Sequence, residues 1–128
     1  MKPRDGIFLV GFMGAGKTTA GRALARLLDS LRDRPRIVVA CGGGTYAQAE
    51  SRALIDSMGR TVWVRIPLEM SLARCAAGVT ERPLFKDAAQ AEALYLARLP
   101  SYRAAVLHVD AEGLTPEEIA ERIARSME

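Results

Sequence analysis

The 128-residue sequence predicts an α/β domain, a parallel sheet with helices on both faces. Two observations carry this. Short apolar runs rich in Val and Ile alternate with segments of helical apolar spacing, and a βαβα order builds parallel sheets. A glycine-rich turn also joins the first apolar run to the first helical segment. No internal repeat, low-complexity tract or linker interrupts the pattern, so residues 1–128 are read as one domain.

The elements follow in order. Ile7–Val10 predicts the first strand. Lys17 to about Leu31 predicts a helix with Ala20, Ala23, Leu24, Leu27 and Leu28 on one face. Ile37–Cys41 predicts a second strand, between Pro35 and the triplet Gly42-Gly43-Gly44. Ala47–Ser57 predicts a helix closed by Gly59. Thr61–Ile66 predicts the third strand. A helix opened by Pro67 runs to about Ala76. Residues 78–87 are polar and irregular. Ala88–Leu99 predicts a helix stopped by Pro100, with a shorter helical piece to follow. Val106–Val109 predicts the fourth strand. Thr115-Pro116-Glu117-Glu118 opens the last helix with a capping residue, a first-turn proline and two acids on the positive end of the helix dipole.

The chemistry is concentrated in "GFMGAGKTT", Gly11 to Thr19. Gly11, Gly16, Lys17 and Thr18 complete the pattern G-x-x-x-x-G-K-[ST]. The glycines permit positive φ and close approach of backbone to a ligand. Successive N–H groups then face one hollow, to which the helix adds its N-terminal partial charge. In that arrangement Lys17 bridges the β- and γ-phosphates of a nucleotide, and the Thr18 hydroxyl ligates Mg²⁺. A glycine-rich turn alone would only relieve strain. The full pattern between strand and helix predicts a three-layer P-loop NTPase fold.

Composition narrows the function further. A net charge of +3 is modest and dispersed, and aromatics are few, so no basic stacking surface for nucleic acid is expected. Anionic small molecules suit this balance better. Cys41 and Cys75 lie in apolar surroundings without metal-ligand spacing, which predicts reduced thiols in a cytoplasmic protein. The apolar run after Lys2 and Arg4 ends at the phosphate loop and does not read as a signal peptide. No stretch is long enough to span a membrane. No N-K-x-D or T-K-x-D guanine signature occurs, which favours a small kinase or nucleotide-binding module over a GTPase.

Three more segments bear on the acceptor. "CGGGT" follows the second strand, where bare backbone can face a substrate ring. "GVTERPLFKD" has the polarity of a lid, with Arg82 to meet phosphate oxygens. "ARLPSYR" places Arg98 and Arg103 around Pro100, where an arginine can fork onto a carboxylate or phosphate. Taken singly, each also reads as a turn, a solvated loop and a helix-end cation.

As a set and in this order, "GFMGAGKTT", "GGGT", "RPLF" and "RLPSYR" resemble the shikimate kinase family over nearly the whole chain. The resemblance implies transfer of the ATP γ-phosphate to the 3-hydroxyl of shikimate, by a monomer. It implies that Gly11, Met13, Gly14, Ala15, Gly16, Lys17, Thr18 and Thr19 hold ATP and Mg²⁺. Gly42, Gly43 and Gly44 line the shikimate site. Arg82 is the lid arginine, and Arg98 grips the shikimate carboxylate. Arg74 resembles the residue over adenine and reads equally as a surface helix residue. Asp110 lies near the other adenine wall and reads as a strand-end residue.

One departure from the family pattern is marked. In the family a strand ending in D-x-D follows the first helix, and then helices bearing an F-R pair. Here "LRDRPR" leads straight into "IVVACGGG", and neither D-x-D nor F-R occurs. The first of those acids helps hold Mg²⁺ through water, and the second orients the attacking hydroxyl. Asp29 and Asp33 are the acids nearest the junction, and neither follows a strand. The missing strand is an edge strand, so the remaining four are expected to stay contiguous. Two alternatives stand beside the shikimate kinase reading: a degenerate ATP-binding module with little kinase activity, and a kinase for another small hydroxy acid held by Arg98 and the glycine triplet.

Overall fold

A computed structural model describes residues 6–12, 15–30, 37–41, 46, 48–76 and 88–126. Nine elements are found there: β1 Gly6–Val10, α1 Lys17–Ser30, β2 Ile37–Ala40, α2 Ala49–Met58, β3 Gly59–Arg65, α3 Leu68–Ala76, α4 Ala88–Arg103, β4 Leu107–Asp110 and α5 Pro116–Ser126. The strands form one sheet in the order β2-β1-β3-β4. Every pairing is parallel, with Leu9 opposite Ala40 and Val62, and Arg65 opposite Asp110. The four strands are contiguous, as the sequence predicts.

The core lies on both faces of this sheet because side chains alternate along each strand. Ile7 and Leu9 of β1, with Val62 and Val64 of β3, pack with Ala20, Leu24 and Ile123 of α1 and α5. Phe8 and Val10, with Trp63, face the opposite way and pack with Ile55 of α2 and Tyr102 of α4. β1 is buried along its whole length, which explains why it reads as a continuous apolar run rather than an alternating one.

Some boundaries differ from the sequence reading, for physical reasons. β3 begins at Gly59 itself. The same residue closes α2 by donating its N–H to the Ile55 carbonyl, so helix and strand abut without a loop. Gly59 pairs with Gly6 across β1 and β3. A Cβ on Gly59 would run into the Gly6 carbonyl, so backbone contact replaces side chain at the start of the sheet. β4 is displaced by one residue and includes Asp110. Thr61 is buried and accepts a 3.0 Å hydrogen bond from the Val106 N–H, which anchors the entry to β4.

The largest correction concerns α4. It does not stop before Pro100 but passes through it to Arg103. Proline removes the bond to the carbonyl four residues back. That carbonyl belongs to Leu96, which is exposed, so water can satisfy it. Ala91, Arg98, Ser101 and Tyr102 are buried, and this buried side carries the helix past the break. At the other end of the chain, α5 starts as expected. The Glu118 N–H donates to the Thr115 hydroxyl at 3.1 Å, and the Thr115 N–H to the Glu118 carboxylate at 2.9 Å, a reciprocal capping box.

Candidate nucleotide and acceptor site

The strands of a parallel sheet open their carboxyl ends to ligands, and β1 opens onto the phosphate-loop pattern. Gly11 has φ +150° and Gly16 φ +81°, regions that side-chain-bearing residues rarely adopt. A Cβ on Gly11 would also lie 2.6 Å from the Val64 carbonyl oxygen. Gly11 therefore lets the loop leave β1 tight against β3. The Gly16 carbonyl accepts the Ala20 N–H at 2.9 Å, which starts α1. Thr18 and Thr19 are exposed in the first turn of α1. Ala15 is buried beneath the loop, and its N–H donates to the Phe12 carbonyl at 3.2 Å. Met13 and Gly14 lie outside the described residues.

Lys17 turns back over this loop. Its ammonium donates to the Gly11 carbonyl and, at 3.3 Å, to the Phe12 carbonyl. Burial lowers its pKa to about 8, with the Cys41 thiol opposing and the Arg98 cation adding to the shift. The Cys41 thiol is itself pushed up by burial and drawn down by Lys17. Cys41 ends β2, where its N–H donates to the Leu9 carbonyl at 2.9 Å. Residues 42–44, the glycine triplet that follows, lie outside the described residues, as does Arg82 with the rest of the expected lid. Arg74 of α3 reaches the loop from another side. One of its terminal nitrogens lies 3.7 Å from where a Cβ on Gly16 would sit.

Arg98 is the second cation of the site. It is 9% exposed, and its Nη1 has no hydrogen-bond partner. Leaving a buried charged donor unpaired costs about 1–3 kcal/mol or more, which an incoming anion recovers. Arg98 stacks 6.0 Å from the Phe12 ring centroid and donates to the Tyr102 hydroxyl. Phe12 thus touches both cations, Lys17 through its carbonyl and Arg98 through its ring. Sequence reasoning passed over Phe12 and Tyr102. Both were visible inside the quoted motifs, but their roles depend on a contact between the loop and α4.

Other candidates sit apart from the two cations. Asp110 pairs with Arg65 at 3.0 Å across the ends of β4 and β3, with both side chains exposed. Such a pair contributes little to stability. The Arg65 guanidinium also lies 5.6 Å from the Trp63 ring centroid. Arg103 is exposed at the end of α4. Asp29 is exposed in the last turn of α1, the end away from the phosphate loop, and Asp33 lies outside the described residues. Among the described residues no three metal-binding side chains cluster, and no helix is long and apolar enough to cross a membrane.

Known proteins resemble this chain in sequence and in fold. The curated shikimate kinase of Caulobacter vibrioides is 31% identical, over 89% of this chain and 77% of its own. That of Persephonella marina is 27% identical, over 91% and 95%. The latter alignment runs over 157 positions, where this chain has 128 residues in all, so the relative carries residues with no counterpart here. Among solved structures, shikimate kinase from Acinetobacter baumannii in complex with shikimate superposes with a TM-score of 0.82 at 27% identity, covering 95% of this chain and 92% of that one. Deoxyadenosine kinase from M. mycoides with bound dATP shares the fold, with a TM-score of 0.61 at 14% identity, covering 95% and 98%. The shikimate kinase family model matches residues 26–128. The chain belongs to the shikimate kinase family.

Proposed function

We propose that this protein transfers the γ-phosphate of ATP to the 3-hydroxyl of shikimate, a step of aromatic amino acid biosynthesis, as a cytoplasmic monomer of one domain. The observation that carries the reading is the pairing of two cations through one residue. Lys17 and Arg98 both contact Phe12, one at the phosphate loop and one buried with a free donor.

Phosphoryl transfer needs positioning and charge neutralisation more than covalent participation. The loop N–H groups and Lys17 bind the β- and γ-phosphates, for which Lys17 gives up its carbonyl partners. Arg98 holds the acceptor by its carboxylate, so the hydroxyl is presented to the phosphate at a set distance from Lys17. Arg74, beside Gly16, covers the nucleotide base. The glycine triplet 42–44 is assigned to the acceptor, and Arg82 to a lid over residues 78–87 that excludes water. The exposed Thr18 hydroxyl fits Mg²⁺, which takes few protein ligands and is otherwise held by phosphates and water. Bound there, the ion would neutralise charge between the phosphates.

The absence of D-x-D and the unmatched positions of the Persephonella alignment support a second reading, an ATP-binding module with little turnover. One experiment separates them. The protein is mixed with ATP, Mg²⁺ and shikimate, and formation of the 3-phosphate is followed by phosphorus NMR beside calorimetric ATP titration. Product formation that Arg98→Ala suppresses through the shikimate KM supports the kinase. ATP binding without product, over hours and at high enzyme, leaves the module.

A further inference from the structure

Arg98 can serve an acceptor only if its guanidinium is held still, and the fold contains a device for this. Phe12 is 2% exposed, and its ring lies beneath the guanidinium. Tyr95 braces that ring edge-on, with centroids 5.3 Å apart and planes at 89°. Tyr102, one turn beyond Arg98 on α4, is fully buried and takes a guanidinium hydrogen bond on its hydroxyl. The i, i+4 spacing of Arg98 and Tyr102 brings them together only if α4 stays helical through Pro100, which it does. A cation over a desolvated ring is attracted by the ring's quadrupole. A hydrogen bond from a charged donor is stronger than one between neutral groups. The ring contact and the hydrogen bond together fix a planar fork in position and orientation.

We propose that Phe12 and Tyr102 are positioning residues that clamp the Arg98 guanidinium beside Lys17 and leave Nη1 for the carboxylate of the acceptor. The role of the clamp in substrate affinity rests on the shikimate reading above, whereas the clamp itself does not. Phe12 also sets the spacing of the two anchors. Its carbonyl receives Lys17 and its ring carries Arg98, so the phosphate-binding and carboxylate-binding cations move together.

The test has two arms. In the ligand-free protein, side-chain nitrogen NMR reads the Arg98 guanidinium directly. The clamp predicts ring-shifted, slowly rotating Nη signals, which Tyr102→Phe speeds and Phe12→Leu returns to ordinary shifts. Wild-type signals like those of solvent arginines would overturn the proposal. In the second arm, Tyr102→Phe raises the shikimate KM or Kd about tenfold and leaves the ATP KM within about twofold. Phe12→Tyr retains more shikimate affinity than Phe12→Leu. A structural role alone would lower thermal stability without separating the two substrates, and unchanged shikimate affinity in Tyr102→Phe would also overturn the proposal. If the wild type neither binds nor phosphorylates shikimate, the substrate reading falls, and the NMR arm still decides the clamp.

Discussion

At the scale of single residues, Lys17 carries the most testable chemistry. With a pKa lowered to about 8 by burial, it sheds its proton in the free protein as pH rises through that value. A bound phosphate favours the charged form and raises the pKa again. ATP binding above pH 8 is therefore expected to take up a proton, and calorimetry in buffers of different ionisation enthalpy measures it. Stability follows the opposite sense from a lysine that gains a partner. Between about pH 8 and 10.5 the unfolded chain holds this proton more tightly, so the lysine's contribution to stability rises with pH across that window. Lys17→Met should lower turnover by about 10³. Gly11→Ala meets both a strained φ and the Val64 carbonyl. It is expected to cost about 1–3 kcal/mol and to abolish ATP binding, read by thermal melts with and without nucleotide.

At the scale of elements, helix ends and junctions decide. The Thr115–Glu118 capping box starts α5, whose buried Ile119, Ala120 and Ile123 complete one core layer. Thr115→Ala should remove about 1 kcal/mol, a fall in Tm of about 4 °C for a domain of this size. The Thr115 N–H and hydroxyl hold the Glu118 carboxyl below its ordinary 4.5. The acid's contribution is thus fully present above pH 4.5 and lost as pH falls through its lower folded value. Comparing acid titrations of wild type and Glu118→Gln checks this. Helix α4 offers the opposite lesson. Pro100 is a stop signal locally, yet burial of Arg98, Ser101 and Tyr102 outweighs the single backbone bond lost at exposed Leu96.

For the whole molecule, catalysis turns on what a family member without D-x-D, with four strands among its described residues, can do. The sheet order β2-β1-β3-β4 keeps the phosphate loop beside β2 and β3. Both cations are in place, but the acids of D-x-D are absent from the sequence. General-base assistance is worth about 10²–10⁴ in rate. Turnover of shikimate is therefore expected to fall below that of a family member that carries D-x-D by such a factor, with ATP affinity similar. Parallel kinetics on the two purified proteins measures both quantities.

The sequence by itself determined the parallel βαβ order and the phosphate loop, because periodicity, glycine placement and motif spacing are local, and four of its motifs carried the resemblance to shikimate kinases. It also brought Lys17 and Arg98 forward as site residues. Only the tertiary structure decided that they meet on Phe12, that Tyr102 holds Arg98, and that Arg74 lies beside Gly16. Lys17 and Arg98 are 81 residues apart in the chain. No local pattern encodes a contact across that separation. It arises where the loop after β1 meets the buried side of α4, with Phe12 against Arg98.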